Sequence, residues 1–206
     1  MKKELSTEDK IKEAAKTVFL QKGFSGCTTR EIAKAAGMNV ALVCYYFRSK
    51  DQLFQLIFQS ILEEFVFSLI QVFQEEMPLQ DKMRILIQKR YEFVEKNPEF
   101  PNFIHNEIKR NAEFMQHNKK VFDKIASSGI FEEALIAQQK GEMRQIDMFH
   151  ITMLIMSNCD FPFISRNFHI STQELTEEEM TEKLSEHRHI VSDMLMNYLF
   201  PNTTHS

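Results

Sequence analysis

The sequence has 206 residues, of which 43% are apolar and 26% charged, with a formal net charge of −4. Those are the proportions of an ordinary soluble globular chain, long enough for one or two domains with a sizeable core. They exclude a membrane-spanning chain, since no apolar run approaches the length of a membrane span. Gly and Pro number five each, so turns are few and elements long. Phe reaches 19 and Met 12, while Trp is absent. That composition suits a helical interior, and it also suits an adaptable apolar pocket, because Met fills irregular gaps. Three cysteines, Cys27, Cys44 and Cys159, show no CxxC spacing, and no secretory signal pattern opens the sequence. A cytoplasmic location with free thiols is expected. The net charge conceals an asymmetry: residues 1–50 hold ten Lys/Arg against five Asp/Glu, and residues 51–206 fifteen against twenty-four. A basic head on an acidic body suits a head that meets a polyanion, although an excess of that size also arises by chance.

Period-2 alternation is absent and apolar residues recur at three and four, so the expected class is all-α with about nine helices. The first spans residues 7–22, with Ile11, Ala14, Ala15, Val18 and Phe19 on one stripe and Gly23 as its stop. The second opens with Thr28-x-x-Glu31, a capping box, and Gly37 makes the next turn. The third starts at Asn39, a good N-cap, and runs to Phe47. The fourth opens with Ser49-x-x-Gln52 and continues through a long apolar pattern until Pro78. A fifth covers 79–96, a sixth 102–115, and a seventh 118–140 with a weak point at Ser127-Ser128-Gly129. The eighth spans 147–164, bent or ended by Pro162; 165–175 reads as a loop. The ninth runs from Thr176-x-x-Glu179 to Phe200.

Two short helices joined through one Gly, with small Ala residues that permit close crossing, form a helix-turn-helix pattern. Its physical use is to hold the third helix in a DNA major groove, though an ordinary helical hairpin has the same outline. The chemistry of the positions can be assigned one by one. Thr28 and Thr29 stand at a helix start, where free N–H groups and a hydroxyl suit a phosphate. Tyr45 and Tyr46 carry phenolic hydroxyls with reach for the DNA backbone, and Lys50 is a point charge for phosphate. Asn39, Val40, Ala41 and Cys44 lie on the leading part of the third helix. There Asn can hydrogen-bond a base edge, and Val or Ala can touch a thymine methyl. Val43 and Phe47, four apart, point inward. Arg30 and Arg48 are either backbone contacts or solvated charge. A Tyr45-Tyr46-Phe47 run in a helix is by itself more often core than contact.

Ile11, Ala15, Phe19, Gly23, Thr28 or Thr29, Ile32-Ala33, Ala36-Gly37, Tyr46-Phe47, Ser49-Lys50 and Leu53 follow one another in a fixed order. This string, over residues 7–54, strongly resembles the TetR (tetracycline-repressor) family of bacterial regulators, in the branch with a double aromatic before Phe47. The resemblance implies that Tyr45 and Tyr46 face DNA while Phe47 stays in the core. Many members carry Tyr where this chain has Cys44, so one phosphate contact is missing or moved. It further implies a DNA-binding domain at 1–50 and an effector-binding and dimerisation domain at 51–206. The implied partners are a palindromic double-stranded DNA operator, a second copy of the chain and a small-molecule effector, with no membrane.

The eighth helix is apolar almost all round and must be buried. With the ninth it can pair with its copies as a four-helix bundle, or close one chain's core. For the effector, the expected lining is Phe65, Tyr91, Phe103, His105, Met115, Phe122 and Cys159, with His105 or Tyr91 as a polar handle for an apolar or aromatic ligand. Each of these also fits plain core. His187-x-His189 and His105-x-Glu107 do not share a helix face, so no metal site and no cofactor are expected. HExxH, phosphate-cradling glycine loops and nucleophile elbows are absent, so no catalytic residues and no enzyme are expected. The expected function is a ligand-released repressor. An activator, or a helical interaction module that never touches DNA, stands as the alternative.

Overall fold

The computed structural model describes residues 5–98, 100–110, 116 and 118–201, apart from the side chains at 103, 107, 108 and 110. Among them lie eleven helices and no strand: α1 (Thr7–Lys22), α2 (Thr29–Ala35), α3 (Val40–Phe47), α4 (Lys50–Phe73), α5 (Leu79–Lys96), α6 (Phe100–Arg110), α7 (Lys119–Ala126), α8 (Ile130–Gln139), α9 (Met148–Ile164), α10 (Arg166–Gln173) and α11 (Glu177–Leu199). The all-α class is as expected, but the count is higher than nine for two reasons. The expected seventh helix is two, α7 and α8. Ser127 and Ser128 turn their hydroxyls back onto the carbonyls of Asp123 and Ile125, at 2.9 and 2.6 Å, which ends α7. Gly129 then takes a left-handed φ of 85° before α8 begins. The expected loop 165–175 holds α10, a polar helix with no fully buried residue, so no apolar stripe marked it. The expected end of the sixth helix at 115 lies outside the described residues.

The chain divides into two compact units: one runs to Glu64 and includes the stretch from Asn102 to Asn118, and the other combines Phe65–Pro101 with the part from Lys119 onward. In the first unit, α2 packs against α1 and α3. Ile11, Ala15, Val18 and Phe19 of α1, Ile32 and Ala33 of α2, and Val43 and Phe47 of α3 are buried, with Leu53, Phe54, Ile57 and Phe58 from the start of α4. Phe19, Phe24 and Phe54 form an aromatic centre, with Phe54 edge-on to the other two at 5.1 and 5.0 Å between centroids.

In the second unit, α5, α9 and α11 pack on one another. Their core includes Met83, Ile87, Tyr91 and Val94 from α5, Ile151, Ile155, Cys159 and Phe163 from α9, and Leu184, Val191, Leu195 and Leu199 from α11. Pro162 sits inside α9, which ends two residues later at Ile164. Arg144, just before α9, donates from Nε to the carbonyl of Tyr198 at 2.7 Å and so satisfies the end of α11.

One composition reading is corrected. By length and mean hydropathy (1.6), α4 could cross a membrane, although no such run stood out in the sequence. Most of its apolar residues have another use: Leu53, Phe54, Ile57, Phe58, Ile61, Leu62, Val66, Leu69, Val72 and Phe73 are buried within the protein, while Leu56 and Phe67 are exposed.

Candidate nucleic-acid interface

The head is built from caps and turns whose chemistry can be followed residue by residue. Ser6 caps α1 by accepting from Asp9, and Gly23 ends it with φ at 69°. The loop that follows passes close under α1: a Cβ on Gly26 would stand 2.2 Å from the Lys22 carbonyl oxygen, so only Gly fits there. Thr28 opens α2 with both halves of the capping box: Glu31 N donates to Thr28 Oγ1 at 3.2 Å, and Thr28 N donates to Glu31 Oε2 at 2.7 Å. The other oxygen of Glu31 accepts from Lys22 Nζ at 2.8 Å, which ties α2 to the end of α1. The Lys22 hydrogen bond, with those from Thr28, holds the Glu31 carboxyl down to about 2.

At the other end of α2, Met38 N bonds to Ala33 O at 2.8 Å and Gly37 N to Lys34 O at 3.1 Å. This is a Schellman motif, and Gly37 takes the left-handed φ of 69° that it needs. Asn39 then caps α3 through Oδ1, which accepts from Leu42 N at 2.8 Å. Because that oxygen is occupied, the amide nitrogen is the group Asn39 presents outward.

The faces of α3 divide cleanly. Val43 and Phe47 are buried, while Asn39, Val40, Ala41, Cys44, Tyr45 and Tyr46 are exposed. Tyr45 is 79% exposed, a large aromatic that no core position would leave in water. Thr28 and Arg30 are exposed and Thr29 is half-buried. Thr28 uses its hydroxyl in the cap, so what it offers a phosphate is a place at a helix start more than a free hydroxyl. Lys50 is placed otherwise than expected: its ammonium donates to the carbonyls of Phe24 and Cys27, both at 2.8 Å, and stands 4.1 Å from the centroid of the Phe24 ring. Arg48 takes a positive φ of 57° where α3 turns into α4, with its side chain exposed.

The expected ligand-lining residues separate: Phe65, Tyr91, Phe122 and Cys159 fall in the second unit, and His105 in the first. Tyr91 and Cys159 are buried, at 2% and 0% exposure. The Tyr91 hydroxyl has no hydrogen-bond partner among the described residues. Its ring packs edge-on to Phe163, with His187 beyond. Burial pushes its pKa above the phenol range, and burial pushes the Cys159 thiol up to about 12. Phe65 is half-buried against the Phe93 ring at 4.5 Å. His105 is exposed on α6, and Phe122 is 37% exposed on α7. Neither is enclosed as a pocket-lining residue should be. Met115 and the side chain of Phe103 lie outside the described residues. A pair that sequence reasoning missed stands beside Phe65: Arg90 makes a two-pronged bond to Asp160, at 2.8 and 2.5 Å, with its guanidinium over the Phe65 and Phe93 rings. Seventy positions separate its two members, and no local spacing announces such a pair.

Two family models match this chain: "Bacterial regulatory proteins, tetR family" over residues 11–57, and "Tetracyclin repressor-like, C-terminal domain" over residues 80–195, more than half of the chain. The chain belongs to the TetR family of bacterial transcriptional regulators. The "Probable HTH-type transcriptional regulator YttP" of Bacillus subtilis (strain 168) is 49% identical over 59 residues, which is 29% of this chain and 28% of that protein. The "HTH-type transcriptional repressor NicS" of Pseudomonas putida KT2440 is 28% identical over 161 residues, 75% of this chain and 74% of the relative. The chain therefore spans little more than a quarter of the first relative and about three quarters of the second. Among solved structures, the fatty acid degradation regulator FadR from Bacillus halodurans superposes with a TM-score of 0.69 at 20% identity, over 95% of this chain and 97% of that one. FadR from Bacillus subtilis in complex with stearoyl-CoA gives 0.66 at 18% identity, over 91% and 96%. These likenesses give the TetR fold along nearly the whole chain. The high identity to YttP covers a stretch of head-like length, whereas the NicS match is weaker and longer.

Proposed function

We propose that this TetR-family regulator is a homodimeric repressor whose two heads grip a palindromic DNA operator and release it when the body takes up a small apolar or aromatic ligand. The observation that carries the DNA reading is the face of α3: Asn39, Val40, Ala41, Cys44, Tyr45 and Tyr46 are exposed while Val43 and Phe47 hold the helix from behind. In this reading Asn39 presents its amide to a base edge, and Val40, Ala41 and Cys44 meet the groove floor. Tyr45, Tyr46, Arg30 and the α2 start at Thr28 and Thr29 hold the phosphates. The functional division falls at residues 1–50 for the head and 51–206 for the body. Membership of a family with repressors such as NicS supports repression.

The effector proposal narrows to Tyr91, Cys159 and Phe65. A buried hydroxyl without a partner forgoes about 1–3 kcal/mol, and a ligand carbonyl or ether could restore that bond. The acyl-CoA bound by the B. subtilis FadR supports a body able to open around an apolar ligand, without naming this chain's own. A gel shift against the DNA upstream of the chain's own gene, with salt varied, tests the core of the proposal. Specific binding should weaken steeply with salt, the log of affinity falling by about 0.9 for each phosphate neutralised. Equal affinity for random duplexes would refute it.

A further inference from the structure

Lys50 is the first residue of α4, and its side chain runs back to the loop between α1 and α2. Two of the three ammonium donors end on main-chain carbonyls of that loop, Phe24 O and Cys27 O, each at 2.8 Å. The charge also sits 4.1 Å from the centre of the Phe24 ring, which is itself packed on Phe54. Phe24 O takes a further weak bond from the buried Cys27 thiol at 3.7 Å. The loop is thus fastened at two of its carbonyls by one side chain, and the residue after the second is Thr28, the cap of α2. A phosphate-seeking lysine would stand free in solvent; this one is half-buried.

We infer that Lys50 serves DNA binding as a positioning residue: it holds the loop carbonyls of Phe24 and Cys27 and thereby fixes the loop that leads into α2 of the head. The inference rests on the DNA-binding reading of the head.

The test uses the full chain, its Lys50→Met and Lys50→Arg variants, and a duplex enriched from a random-sequence pool by the unaltered chain. Amide hydrogen exchange without DNA should quicken by about tenfold or more in Lys50→Met at residues 25–31, with α3 and the body unchanged. Affinity for the enriched duplex should fall by about tenfold or more while the slope of log affinity on log salt stays the same. Lys50→Arg should restore loop protection and affinity together, since a guanidinium can donate to two carbonyls. A slope reduced by about 0.9 per head, with loop exchange unaltered, would make Lys50 a direct phosphate contact and overturn the inference. Faster exchange throughout α1, α2 and α3 would overturn it too, by making Lys50 a general support of the fold. If the unaltered chain enriches no duplex, the DNA reading itself fails and the role of Lys50 in it goes with it. The exchange measurement would then still say whether the loop is held.

Discussion

Asn39 and Tyr91 each hold one polar group whose bonding decides what a substitution does. Asn39 has two tasks, carried by different atoms: Oδ1 caps α3, and the amide nitrogen faces outward. Asn39→Ser keeps a capping oxygen and loses the amide, so thermal stability should hold while preference at one base pair relaxes by about 1–3 kcal/mol. Asn39→Ala should lose that preference and also about 1 kcal/mol of stability. Melting curves together with binding across a panel of operator variants check this, and identical behaviour of the two variants in both assays would sink the division. Tyr91 makes the opposite case. Its hydroxyl is buried without a partner among the described residues, so Tyr91→Phe removes a desolvated group and leaves the ring packing intact. The ligand-free protein should become more stable, by up to about 1–2 kcal/mol, while release from DNA by an effector weakens. A drop in Tm for Tyr91→Phe would show that the hydroxyl already has a partner, and would remove the main support for its role as a ligand handle.

At the scale of elements, α2 shows how a short helix is held by its ends. The Glu31 carboxyl binds Lys22 and the Thr28 cap, and these keep it ionised down to about 2. A carboxyl whose folded-state pKa is depressed contributes stability above its ordinary range and loses it as the pH falls through the depressed value. The advantage of the unaltered chain over Glu31→Ala should therefore be full at neutral pH, narrow below pH 4.5 and vanish near pH 2. Tm measured for both across that range checks the sign; an advantage that persisted at pH 2 would assign it to packing. These ends were legible because capping is local chemistry: Thr28-x-x-Glu31, Asn39 and Gly37 each announce a bond within a few residues. Thr176-x-x-Glu179 did the same for α11, and its box is complete. Where local chemistry is silent the sequence misled. The α10 segment has no apolar stripe and reads as a loop, whereas the break between α7 and α8 falls at the weak point Ser127-Ser128-Gly129, where two serine hydroxyls bond backwards. The bonds of Lys50, Arg90 and Asp160 were not legible because their partners lie 23 to 70 positions away, beyond any periodic signal.

For the whole molecule, the homodimer proposed above needs a face that receives the second copy. On α9, Phe149, Met153 and Met156 are exposed, and on α11 Ile190, Met194 and Tyr198. They flank a groove of about 440 Å³ lined by Ile146, His150, Met153, Leu154, Ser157 and Tyr198. So much exposed apolar surface on two neighbouring helices of one core is costly in water unless covered. A two-fold axis through this face would set α9 and α11 against their copies, each protomer offering the other the same patch. Two-fold pairing would bring two heads to one operator, whose half-sites lie about 34–36 Å apart, one DNA turn, and a single head reads only one of them. A second apolar patch competes for the role: Phe131, Leu135 and Ile136 on α8 are also exposed. The two can be separated. Met153→Glu combined with Met194→Glu places charges in the first face at positions already 44% and 46% exposed, so the protomer should still fold. Sedimentation should show monomers, and operator affinity should fall by about a hundredfold or more, since the gain from linking two heads is of order 10²–10⁴. Leu135→Glu should leave both unchanged. If the double variant stays dimeric and Leu135→Glu dissociates it, the second copy sits on α8, and the exposed methionines of α9 and α11 need a different partner.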